Sequence, residues 1–132
     1  SPELAYRPDR PLRPQLFELV QQKLQLLHDE DFIDLVRVAI AAVIPSPERA
    51  QEMFARIGDK EEGLTVWIRA AAADGRLNTQ DPLFASMLLQ GMIKGFAFWP
   101  QITLGQPMLT QAQRSQVADT VTDMFLGYFA SA

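Results

Sequence analysis

From Pro14 to the end of the chain, apolar residues recur three and four positions apart almost without a break, and nowhere do they alternate over strand length. Leu16, Leu19, Val20, Leu24 and Leu27 form the first stripe, with Pro14 suited to a first turn. The acidic run Asp29, Glu30, Asp31 separates this helix from a second one carrying Phe32, Leu35, Val36, Ala39, Ile40 and Val43, which Pro45 closes. A third begins at SPERAQEMFARIG, with Ser46 as N-cap, Pro47 at the first helical position and Gly58 as the stop. Asp59 and Glu62 have capping-box spacing for a fourth helix, which turns Leu64, Trp67, Ile68 and Ala71 inward and ends at Gly75. Asp81-Pro82 opens a fifth that runs until just before Pro100, and residues 100–109 read as a loop. Thr110 and Gln113 cap a sixth through Val117, Val121, Met124, Phe125 and Tyr128. The pattern predicts an all-α, single-domain bundle of about six helices over residues 14–132. Residues 1–13, with Pro2, Pro8 and Pro11, read as an extended or poorly ordered proline-rich linker or remnant.

Composition changes this picture little. The chain has 132 residues, 48% of them apolar and 21% charged, which suits one globular domain. It has no apolar run long enough to cross a membrane as a helix, and its first residues lack signal-peptide patterning. There are no cysteines, so disulfides, thiolate metal sites and cysteine nucleophiles are excluded; a cytoplasmic location is compatible with that. Net charge is −4, and Arg7, Arg10 and Arg13 are the only basic cluster, so the chain alone is not expected to grip phosphate backbones.

The sequence offers little for catalysis. The single His28 next to Asp29 and Asp31 is a partial metal set at most, and fits better as a partner for the carbonyls ending the first helix. No serine lies in a nucleophile elbow, and Gly91 and Gly95 fall within a helix rather than in a phosphate loop. Neither an enzyme activity, a catalytic residue, a metal nor a cofactor is expected.

What stands out is GMIKGFAFWP, residues 91–100. Each helical glycine costs about 1 kcal/mol relative to alanine, so two of them need a compensating reason. On the fifth helix Phe84, Leu88, Gly91, Gly95 and Phe98 follow one line, and Leu89, Met92, Phe96 and Trp99 another. A helix apolar on two faces must be buried on two sides. Small residues four apart admit a close neighbour, either another helix of this chain or a second copy. The expected interface set is Leu88, Gly91, Met92, Gly95, Phe96, Trp99, Val121, Met124, Phe125 and Tyr128, with Lys94 reaching water at its edge. The remaining apolar surplus suits a ligand cavity on the inward faces of helices two to five, lined by Phe32, Val36, Met53, Phe54, Trp67 and Met87.

The runs DEDFIDLVRVAIAAVIPSPERAQEMFARIG and AAADGRLNTQDPLFASMLLQGMIKGFAFWPQITLG resemble the C-terminal regulatory domain of TetR/AcrR-type transcriptional regulators, particularly the AefR-like branch. The likeness rests on Gly75-Arg76-Leu77, Asp81-Pro82, Gly91, Gly95, Phe98-Trp99-Pro100 and Gly105, and covers about residues 14–130. No helix-turn-helix precedes these motifs, so the chain reads as a regulatory fragment without its DNA-binding domain and one linking helix. The resemblance implies a bacterial repressor in which the last two helices of each chain form a four-helix homodimer interface. The earlier helices would enclose a small apolar effector, and DNA would be met only through the missing domain. The alternative is a helical protein-interaction module without a small-molecule pocket.

Overall fold

The computed structural model describes residues 4–57 and 62–132. Among them the chain forms seven helices: α1 (Leu12–Leu27), α2 (Glu30–Val43), α3 (Pro47–Ile57), α4 (Gly63–Ala73), α5 (Pro82–Ala97), α6 (Trp99–Leu104) and α7 (Gln111–Phe129). The only β-type pairing among the described residues is an isolated antiparallel bridge between Leu77 and Ala130.

The core is one cluster built mainly from α1, α4, α5 and α7, with Ile33 of α2 and Ile102 of α6 at its edge. Leu16, Val20 and Leu24 of α1, Trp67 and Ile68 of α4, Leu89 and Ile93 of α5, and Phe125 of α7 are essentially excluded from solvent. The first helix packs most extensively on α7, and α4 on α5. Outside the core, Arg13 ties the start of α1 to α7 with Nε 2.7 Å from Asp123 and Nη2 3.0 Å from Asp119.

Helix starts follow the expected caps where a side chain can accept a free N–H. Asp29 accepts from Phe32 N, Asp81 from Phe84 N, and Ser46 Oγ from Arg49 N. Thr110 and Gln113 complete both halves of their capping box, at 3.1 and 2.8 Å. The start of α4 differs: Glu62 is itself the N-cap residue and makes no side-chain cap. Its carboxylate instead takes Lys23 Nζ at 2.8 Å, and the Asp59 half of the expected box lies outside the described residues, as does the expected stop at Gly58.

Three stretches depart from the sequence reading. The fifth helix ends at Ala97, where Phe98 leaves helical geometry with φ −139° and ψ −65°, and the expected loop after Pro100 holds the short helix α6. Proline has no N–H to satisfy, so Pro100 fits the first turn of a new helix as readily as it would end an old one. Gly105 then ends α6 with φ +64°, a left-handed position that glycine occupies without strain. Second, residues 4–11 are held against the domain rather than extended from it: Leu4 and Tyr6 pack on the core, and the Tyr6 ring stands edge-on to Trp67 at 5.8 Å. Third, His28 meets Arg114 of α7, with Nδ1 3.2 Å from Nη1. A guanidinium can only donate, so Nδ1 accepts, and the ring serves a neighbouring cation rather than the carbonyls of its own helix.

Candidate dimerisation face and ligand site

On α5 the buried positions Ala85, Ser86, Leu89, Ile93 and Ala97 face α4 and α7. The opposite face carries Phe84, Met87, Leu88, Gly91, Gly95 and Phe96, all exposed, and Trp99 of α6 continues it. On α7, Val121, Thr122, Phe125 and Phe129 point inward, while Thr120, Met124, Gly127 and Tyr128 point out. The outer sides of the two helices border a groove of about 500 Å³ lined by Met92, Phe96, Leu109, Gln113, Gln116, Val117, Thr120, Val121 and Met124.

The glycines decide how this face is read. A Cβ placed on Gly91 or Gly95 meets nothing within 4 Å. Nor does one placed on Gly127 of α7. Among the described residues no helix uses the room they leave, which removes the intrachain explanation considered from sequence.

The structure sorts the ten expected interface residues unevenly. Leu88, Gly91, Gly95, Phe96 (60% exposed), Trp99, Met124 and Tyr128 (80%) share the outer surface. Met92 is half-buried and Val121 forms groove floor, so each is shared with the chain's own core. Phe125 is corrected outright: at 1% exposure it stacks on Phe129 with centroids 4.6 Å apart and has no surface to offer. Phe98 of the first apolar line is likewise turned inward, its ring 4.8 Å from Trp99 and nearly perpendicular to it. Val117 and Thr120, outside the expected set, line the groove beside Met124, and their spacing to it along α7 marks the same face.

Lys94 does not reach the interface edge. It points inward, half-buried, with Nζ 5.2 Å from the centre of the Phe98 ring. Burial pushes its ammonium below the ordinary lysine range, Lys23 adds to that, and Glu62 opposes it.

The described members of the expected ligand set do not converge on one cavity. Trp67 is packed in the core and donates Nε1–H to Gln15 Oε1 at 3.3 Å. Phe32 and Val36 lie on α2 and Met53 on α3, elements that pack on each other and, through α2, on α6. The Phe54 side chain lies outside the described residues. Met87 is corrected to the outer face of α5, 64% exposed beside Leu88. Of the set, Trp67 lines an apolar groove of about 460 Å³ between α1 and α4, together with Leu4, Ala5, Tyr6, Leu19, Gln22, Gly63, Val66 and Ala70.

A model of the AefR-like transcriptional repressor C-terminal domain matches residues 14–131. The chain belongs to this family. Among solved structures, an AefR-like domain of this sequence is similar to a TetR family transcriptional regulator from Pseudomonas syringae pv. tomato str. DC3000, with 46% identity and a TM-score of 0.89. The match covers 96% of this chain and 66% of that one. No curated protein matches. The matched family is the C-terminal domain of transcriptional repressors, and the chain spans just under two thirds of the length of the regulator it matches. Among the described residues, no helix is long and apolar enough to cross a membrane.

Proposed function

We propose that this AefR-like domain is the dimerising, ligand-responsive part of a bacterial, cytoplasmic TetR-type repressor, binding a small apolar effector and meeting DNA only through a separate domain. The observation that carries the dimer is the open space over Gly91 and Gly95, ringed by exposed Leu88, Phe96, Trp99, Met124 and Tyr128. A two-fold pairing would place this patch against itself, so that α5 and α7 of both copies form four packed helices. The effector reading draws on the family and on the apolar recess beside Trp67, where Gln22 is the polar group available for orientation. An effector would act by binding one arrangement of the dimer more tightly than another, and the shift could not exceed that difference in affinity.

Sedimentation velocity at micromolar concentration tests the first part: a dimer is expected, and a monomer would end this reading. For the second part, apolar compounds that bind should raise the melting temperature with concentration and alter tryptophan fluorescence. Trp67→Phe should remove most of the fluorescence response if the recess is the site.

A further inference from the structure

The segment leading into α1 is gripped by a turn that also holds the far end of α7. Gly75, with φ +78°, closes α4, and Arg76 N and Leu77 N both bond back to Ala71 O at 2.9 and 3.3 Å. That leaves the Arg76 side chain facing residues 6–10. Its Nη1 donates to Tyr6 Oη, Arg7 O and Pro8 O at 3.2–3.3 Å, and its Nη2 to Arg10 O at 2.7 Å. Tyr6 Oη in turn donates to Asp74. Gln15, almost wholly buried, accepts from Arg7 N at 2.8 Å and donates to Arg7 O, Arg10 O and Pro11 O.

This chemistry suits the segment. Prolines at 8 and 11 remove backbone donors but keep their carbonyls, so the chain presents a surplus of acceptors. A guanidinium offers five donors and no acceptor, in a planar fork that can take several carbonyls at once. On its other side the same turn is joined by backbone to the end of α7: Asn78 N donates to Phe129 O at 2.7 Å and Ser131 N to Arg76 O at 3.0 Å.

We propose that the Arg76 turn is a coupling clamp, fixing the chain that enters the domain to the C-terminal end of α7, so that a shift of α7 at the dimer face is passed to whatever precedes residue 4. This rests on the dimer reading. Tyr128, two residues before the bridge at Ala130, stands on the proposed dimer face, so the Arg76 turn links that face to the entering segment, beside the Arg13 ties between α1 and α7.

The test exploits the absence of cysteine. Spin labels at Asp9→Cys report the entering segments of the two protomers, and labels at Ser115→Cys report α7 itself. If the clamp holds, pulsed dipolar spectroscopy gives inter-protomer distances as narrow at Asp9 as at Ser115. Arg76→Ala should then widen the Asp9 distribution about twofold or more while leaving Ser115 unchanged. Tyr6→Phe, which removes one hydroxyl, should widen it less, and serves as the deciding variant if Arg76→Ala also disturbs Ser115. A broad Asp9 distribution in the unaltered chain, or one indifferent to both substitutions, overturns the clamp while the dimer stands. Absence of any inter-protomer distance at Ser115 overturns the dimer, and the coupling with it.

Discussion

Thr65 and Ser86 share a hydrogen bond of 2.7 Å across the seam between α4 and α5, with both side chains shut off from solvent. Gln90, one turn further along α5, donates Nε2–H to the same Ser86 oxygen at 2.8 Å. The pair therefore sets the register of the two helices as well as satisfying its own polar atoms. Ser86→Ala strands the Thr65 hydroxyl, and an unpaired buried polar group costs about 1–3 kcal/mol. Denaturant unfolding should show a loss of that order. Thr65→Val combined with Ser86→Ala should cost less than the sum of the single changes, because the second removes a group already left without its partner.

Gly95→Leu separates assembly from folding. The position has room for a side chain within its own protomer, and the change gains up to about 1 kcal/mol of helix propensity. The variant should keep its helicity by circular dichroism and lose the dimer by sedimentation. An unchanged dimer would remove α5 from the interface.

Thr122 should prove better replaced. Its hydroxyl is fully buried on α7 and has no hydrogen-bond partner among the described residues. Thr122→Val keeps the branched shape and discards the unmet group, so stability in denaturant should rise by about 1 kcal/mol. A fall would mean that the hydroxyl has a partner, such as a bound water.

Lys94 provides a pH signature. Its folded-state pKa lies below the ordinary lysine value because burial opposes the charge, so at neutral pH the ammonium form works against the native state. As pH rises through the folded pKa towards the ordinary one, the native state sheds its proton first and this burden lifts. The contribution of Lys94 to stability therefore increases over that alkaline interval. Lys94→Met should raise the melting temperature at neutral pH and flatten the alkaline part of the stability profile, read by thermal melts in a series of buffers.

Much of the fold was legible because periodicity and capping act locally. Leu16 to Leu27, Leu64 to Ala71 and the Thr110 capping box can be read from neighbours within one or two turns. What sequence missed depended on contacts between distant parts. Nothing near Pro8 or Arg10 announces that Arg76, more than sixty positions away, collects their carbonyls. Pro100 is compatible both with ending a helix and with beginning one, and only the packing of Phe98 chooses. The interface set shows the same limit: spacing groups Phe125 with Met124 and Tyr128, but a helix face one residue wide separates core from surface. For the ligand residues, apolar character identified Trp67 and Met87 equally well, and burial alone tells a core ring from an outer one.

The α2–α3 pair has a looser hold than the rest. Ile33 is the sole fully buried residue of α2, Leu35 and Val38 stand in solvent, and Arg37 reaches over to α6 to bond Gln101 O at 2.9 Å and Ile102 O at 3.3 Å. With so little apolar area committed, this arm is expected to open at a free energy well below that of the whole domain. Its amides should exchange with solvent through local detachment, in advance of global unfolding, while α1 and α7 wait for it. The domain thus has two tiers of persistence: a durable four-helix frame, and an appendage that can change its seating without the frame coming apart.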